Sequence, residues 1–345
     1  MSRFQSILRR HKTGLVVAVV VVSALVWAVA RVLPSSTDGM RRSAAVVETR
    51  SCWELEAGGR GVLWFAAADS DSTLLSPSTL RGGAEAVSLG GGCWMNRWPA
   101  VPSCRGRLVT VLPRPVAADI ADSAWAEPLL RRLLEKARRD IGDSLQWARS
   151  EDSELQYYLR VHGVQDEGYQ QIASVAATVK AKLQSLERTA ATVDSLLDRP
   201  AIVLTLRRKT TYLVHYRNGE GKLSADTCRL VCRASGGSLS LLQTLSATTP
   251  TGVKAQYLLP WNTTNHRLMA VGFGGLGVRE LATTSASPLV IEGRRKGRAH
   301  NFPRVVVAGG CPLFTPRGLF AGIVDGQEID GRGHVSLLMM KGGWR

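Results

Sequence analysis

Gly309-Gly310-Cys311-Pro312-Leu313-Phe314, continuing through Thr315-Pro316-Arg317 to Gly318-Leu319-Phe320-Ala321-Gly322-Ile323-Val324, carries a turn and a strand in close succession. A β-branched, glycine-punctuated run such as LFAGIV reads as a strand, and the Pro/Gly residues before it read as a turn. It is one of many. From Ala201 to Arg345 the chain repeats this texture in AIVLTL, TYLVHY, CRLVC, LSLLQTL, AQYLLPW, RLMAVGF, PLVIEG, RVVVAG, LFAGIV and HVSLLMM, separated by Gly, Asn or Pro. Roughly ten short strands at such spacing indicate a barrel or a sandwich. No internal repeat of twenty to fifty residues is visible.

Upstream the texture changes. Residues 115–198 are rich in Ala, Leu, Glu, Arg and Gln, with no proline after Pro128, which is the composition of helices. From Tyr169 the apolar positions run Ile172, Ala176, Val179, Leu183, Leu186, Ala190, Val193 and Leu197 in steps of three and four, the seam of one straight helix. Leu130, Leu134, Ala137, Ile141, Leu145 and Ala148 form a looser stripe before it. Together they predict an α-helical hairpin burying its own seams, with Glu154 to Gly168 supplying the turn and two exposed tyrosines. The alternative is a coiled coil that self-associates through 169–197.

Residues 51–114 are β in character again, in GVLWFAA, STLLS, EAVSL and RLVTVL. Residues 34–50 form a Ser/Pro/Thr/Arg linker. Before it, 13–33 contain TGLVVAVVVVSALVWAVARV, uncharged until Arg31 and long enough to cross a bilayer as one transmembrane helix. Arg3, Arg9, Arg10 and Lys12 then place residues 1–12 in the cytoplasm and the bulk of the chain outside it, in the periplasm if the membrane is a bacterial inner membrane. A cleaved secretory signal ending at Ala28-Val29-Ala30 is the competing reading, and it also exports the remainder.

Composition narrows the function classes. The net charge of +16 suits anionic headgroups or envelope polymers on that side of a membrane, and nucleic acid is not an expected partner there. The Arg294-Arg295-Lys296-Gly297-Arg298 cluster is by default a solvated loop. All six cysteines, Cys52, Cys93, Cys104, Cys228, Cys232 and Cys311, fall beyond the anchor, where disulfides can persist, and six allow fifteen pairings. Cys93 and Cys104 flank a short Trp/Pro-rich segment, whereas Cys228 and Cys232 in one strand would stand about 13 Å apart. No CxxC is present, so neither zinc nor any other cofactor is expected.

The 309–324 stretch resembles the nucleophile region of trypsin-like serine peptidases, whose pattern is Gly-Asp-Ser-Gly-x-Pro-Leu-Phe, a turn, and a strand with Gly-Ile or Gly-Val. Leu268 to Gly277 is similar to that family's strand ending in Gly-Phe-x-Gly. Leu239-Ser240-Leu241-Leu242-Gln243 is similar to the strand that begins Asp-x-Ala-Leu-Leu. Gly61 to Leu63, leading to Leu74 through Thr79, is similar to the opening hairpin before Thr-Ala-x-His. The resemblance implies a mainly β, two-barrel domain with the helical hairpin of 115–198 inserted in the first barrel, which starts with 51–114, while 199–345 supply the remainder of that barrel and the second.

The family's chemistry needs a Ser nucleophile, a His to take its proton and an Asp to hold the His. In register, this chain carries Gly309 at the nucleophile, Ala308 before it, Ser238 at the Asp and Thr79 at the His. A glycine cannot attack a carbonyl. The histidines are His11, His162, His215, His266, His300 and His334, so the first β region holds none. Cys311, two residues after Gly309, is the remaining candidate nucleophile, with His215 or His300 as its base. Because it precedes Pro312 it occupies a structural glycine position, facing the core or a disulfide partner.

These readings imply a degenerate, catalytically inactive member of the fold that binds a protein or peptide partner in the groove between its barrels. A structural envelope component acting through the hairpin is the alternative. An active serine- or cysteine-type endopeptidase with a displaced catalytic set is the third.

Overall fold

The computed structural model describes residues 20–23, 34–68, 74–96, 106–112, 127–234, 239–257, 267–273, 287–296, 299–303, 305–329 and 332–336. In chain order the strands are β1 (Ala44–Ala57), β2 (Arg60–Phe65), β3 (Ala67–Ala68), β4 (Leu74–Leu75), β5 (Ala86–Asn96) and β6 (Arg107–Val111). After two long helices come β7 (Leu204–Arg217), β8 (Leu223–Arg233), β9 (Leu239–Thr244), β10 (Gln256–Tyr257) and β11 (Arg267–Gly272). The last five are β12 (Leu289–Lys296), β13 (Ala299–His300), β14 (Pro312–Phe314), β15 (Phe320–Ile329) and β16 (Arg332–Ser336). The helices are α1 (Thr37–Arg41), α2 (Glu127–Val161) and α3 (Tyr169–Leu197).

The chain divides into two units. The first comprises Met1–Thr49, Leu89–Arg114 and Tyr212–Arg345. Its first sheet runs β5-β6-β9-β8-β7-β1, and β5 pairs with β1 as well, so these six strands close into a ring. Alternation explains the closure. Tyr212, Val214 and Tyr216 of β7 turn inward onto Ala45, Val47, Trp94, Leu108 and Leu242, every second residue being core. Trp94 meets Tyr216 edge to face, 5.6 Å between centroids and 89° between planes. The opposite face of the ring carries Cys93, Met95, Val109 and Leu239 onto Ile323 of β15.

β11-β12-β13-β16-β15-β14 form a second closed barrel in the same unit, cored by Leu268, Ala270, Leu313 and Val324. Mainly β architecture with barrel sheets is therefore present, as the strand texture predicts. The short α1 is capped by Ser36, whose side chain accepts from the Gly39 N–H at 3.2 Å.

The second unit, Arg50–Ser88 and Pro115–Thr211, holds α2 and α3 with parts of β1 and β7 and the strands β2 to β4. Leu130, Leu134 and Ile141 of α2 and Val193 and Leu196 of α3 join Leu55, Leu63 and Phe65 in one core. Half-buried Leu186, Ala190 and Leu197 pack on it. Residues of the α3 seam thus pack within the unit.

One expectation needs correction. No helix among the described residues is long and apolar enough to cross a membrane, which overturns the N-terminal transmembrane helix as part of the fold. α2 at 35 residues and α3 at 29 have the length, but both carry charges along their course. Of 13–33 only residues 20–23 are described, as a single helical turn, and the rest lies outside the described residues. The disulfide expectation also fails where it is visible: Cys52, Cys93, Cys228, Cys232 and Cys311 are free thiols, and Cys104 lies outside the described residues.

Candidate functional site

The 309–324 stretch folds as its turn chemistry predicts. Pro312 pairs with Ile323, Leu313 with Gly322 and Phe314 with Phe320, across a turn in which the Thr315 N–H donates to Leu319 O at 2.8 Å. The loop before β14 is fixed by main-chain bonds alone. The Cys311 N–H donates to Ala308 O (3.2 Å), the Gly310 N–H to Val324 O (2.8 Å) and the Gly91 N–H of β5 to Gly309 O (2.8 Å). Gly310 has φ of 92°, and a Cβ there would run into Gly91 O and come within 3.0 Å of Val111 N. Only glycine fits that approach. Thr110 Oγ1 completes the junction by donating to Gly91 O at 2.6 Å.

Beside this loop lies a cavity of about 190 Å³ lined by Val46, Leu89, Gly90, Gly91, Phe273, Val306, Ala308 and Cys311. It is smaller than the roughly 300 Å³ at which pockets for drug-sized ligands begin, so it takes at most a side chain of an incoming segment. Its walls offer apolar surface and one thiol. Burial pushes that thiol, Cys311, up to about 12, and burial followed by the neighbouring Cys311 pushes Cys93 well above the ordinary thiol range. A thiol held protonated at neutral pH is a poor nucleophile.

Thr79 is half-buried and belongs to the second unit, whereas Gly309 belongs to the first. Ser238 lies outside the described residues. His215, on β7, points Nε2 at Glu48 Oε2 of β1 at 2.6 Å, with both side chains buried. His300 Nδ1 accepts from the Phe302 N–H at 3.2 Å. Neither histidine lines the cavity. No group of three or more metal-ligating side chains occurs among the described residues.

Apart from Ala308 and Cys311, the residues that shape the cavity went unpredicted, although one signal pointed to them. Gly90-Gly91-Gly92 interrupts an otherwise apolar strand, and glycine inside a strand marks close approach of another backbone. A Cβ at Gly91 would lie 2.6 Å from Cys311 Sγ and 2.7 Å from Cys311 N.

No protein-family profile matches the sequence, and no curated protein is similar to it. Among solved structures the chain is similar to Deg5, at 9% identity over 84% of this chain and 82% of that one, with a TM-score of 0.33. It is also similar to the apo form of the MamO protease domain from Magnetospirillum magneticum, at 15% identity over 36% of this chain and 69% of that one, with a TM-score of 0.24. Superpositions this loose decide nothing; the two-barrel architecture rests on the strand pairings themselves.

Proposed function

We propose that the first unit is a trypsin-like domain that has lost hydrolysis and retains binding, holding one apolar side chain of an extended protein segment beside the 308–311 loop. The observation that carries this reading is the cavity wall: next to Gly309 it offers no acid, base or nucleophile other than a buried thiol.

Strand register supports the same reading. Val111 pairs with Leu239, so the end of β6 and the start of β9 are level, and by sequence those ends continue into Pro113 and Ser238. Counted from Thr110, the family's Thr-x-x-His spacing falls on Pro113, which like Thr79 is not a histidine. Gly310 meets both Gly91 and Val111, which brings the nucleophile loop to that same end of β6. Proline, serine and glycine cannot perform base, orienter and nucleophile. The oxyanion donors of this mechanism are the amides of the nucleophile and of the residue two before it. Here the Val307 N–H already donates to Pro303 O at 3.0 Å.

The test uses the full chain. Incubated with a fluorophosphonate probe, an iodoacetamide probe and a peptide library, it shows no labelling that depends on the native fold and no cleavage, while retaining library peptides. Ala308→Trp, which fills the cavity, abolishes that retention. Stoichiometric fluorophosphonate labelling, iodoacetamide labelling of Cys311 in the native chain or any cleavage ends the inactive reading, and undiminished retention by Ala308→Trp ends the cavity reading.

A further inference from the structure

The α2–α3 hairpin has two unlike flanks. About half a turn round from Trp147, Arg138 pairs with Asp194 at 2.7 Å and Arg149 with Glu187 at 3.0 Å, tying the helices together. The other flank leaves large apolar side chains in water. Trp147 is 67% exposed, Tyr157 68% and Val161 60%, and Val175 of α3 is exposed beside them. Lys182 Nζ, 5.9 Å from the Trp147 ring, is the neighbour across the hairpin. At 100° per residue, Lys136, Arg139, Trp147, Glu154, Tyr157 and Val161 fall within an arc of about 80° on the outer face of α2, and all six are exposed. Three exposed apolar side chains aligned on one helix face are not the scatter normal for a surface.

Charge along this face says what covers it. The basic residues Arg132, Lys136 and Arg139 lie on the N-terminal side of Trp147, with one acid, Asp143, nearest the centre, and Glu154 lies on the C-terminal side. A second hairpin laid parallel opposes like charges. Laid antiparallel, with the axis near Trp147, it sets Arg139 against Glu154 of the other copy and Lys136 over the other Tyr157, and both contacts occur twice. We infer that two copies of this chain associate through the outer face of α2, antiparallel and related by a two-fold axis near Trp147. Such an interface is self-complementary, as a closed dimer requires. It places the Trp147 rings at the centre, where desolvated aromatic anchors carry most binding energy, and the ion pairs toward the rim.

Arg139 and Glu154 are fifteen residues apart on one helix, about 22 Å, so they cannot meet within one chain. That separation makes the test specific. Sedimentation velocity of the full chain across a concentration series is expected to show a monomer–dimer equilibrium. Arg139→Glu and Glu154→Lys each weaken it tenfold or more, and the double charge swap restores it to within about threefold, a coupling that only contact between two chains produces. Trp147→Ala also weakens it at least tenfold. The substituted side chains are exposed, and unchanged helical circular dichroism certifies each variant. A chain that stays monomeric at 100 µM, single reversals without effect, or a double swap as weak as the two losses combined overturns the inference. Capture of some other protein by a monomeric chain also overturns it.

Discussion

Gly310→Ala is the perturbation that most directly probes the junction between the nucleophile-like loop and β5. Two penalties act together. Gly310 sits at φ of 92°, and a side chain in left-handed backbone costs about 1–2 kcal/mol. Its Cβ would also press into Gly91 O and reach 3.0 Å from Val111 N, both main-chain atoms that cannot rotate away. Forcing a methyl group into such packing adds about 1–3 kcal/mol. The sum, about 2–5 kcal/mol, lowers the melting temperature by roughly 10 °C at about 2–4 °C per kcal/mol. Gly221→Ala is the control, because Gly221 lies in the same unit at φ of 75° with nothing within 4 Å of its added Cβ. It bears only the backbone penalty and should melt about 4 °C low. Thermal melts of both variants, followed by circular dichroism, separate the contributions. If Gly310→Ala is no worse than Gly221→Ala, the loop does not approach β5 as described.

Two further outcomes follow from buried groups in the same unit. The folded-state values of Cys311, up to about 12, and of Cys93 lie above those of an unfolded thiol, so their contribution to stability is fully present below the unfolded thiol pKa of about 8.5 and is lost as pH rises toward 12. Melting temperature should fall over that window, less steeply in Cys311→Ala, and native alkylation at pH 8 should modify half-exposed Cys232 before either; equal alkylation of all three contradicts the burial. Glu48→Ala removes the hydrogen-bond partner of buried His215 and should cost about 1–3 kcal/mol, with Glu48→Gln costing less; a loss under about 0.5 kcal/mol by urea titration counts against a structural role for the pair.

Local patterns were legible in the sequence and non-local pairings were not. Local texture marked TYLVHY as a strand, and the three-and-four spacing of Ile172 to Leu197 marked a straight helix, because both depend on near neighbours; that Tyr212, Val214 and Tyr216 turn inward is seen only in the fold. Ring closure depends on which strands meet. β5 pairs with β1 although β2, β3 and β4 lie between them in the chain. That excursion belongs to the second unit and carries Thr79, whose place after a short strand mimics the family's approach to its histidine. In sequence nothing distinguishes the excursion from the ring. The same holds for His215, whose partner Glu48 is 167 residues away.

On the proposed reading, the loop at 308–311 keeps a scaffold without its chemistry. A peptidase of this mechanism keeps two amides of that loop unbonded and aimed at the developing oxyanion. Here Val307 N–H, Gly310 N–H and Cys311 N–H are committed to Pro303 O, Val324 O and Ala308 O, and Gly309 O is committed to Gly91 N–H. Each bond tightens the loop against the barrels, and the Val307 bond also removes one of the donors that catalysis needs. A serine at 309 would therefore supply a nucleophile without a free Val307 amide, and without a histidine after Leu112, where the sequence has Pro113. Selection on packing alone then suffices to hold Gly309 and Gly310: the close approach that excludes a Cβ at Gly310 is the one that shapes the apolar cavity beside Ala308. Gly309 and Gly310 of the loop and the glycines of β5 are two sides of one contact, and that contact is what holds this loop in place.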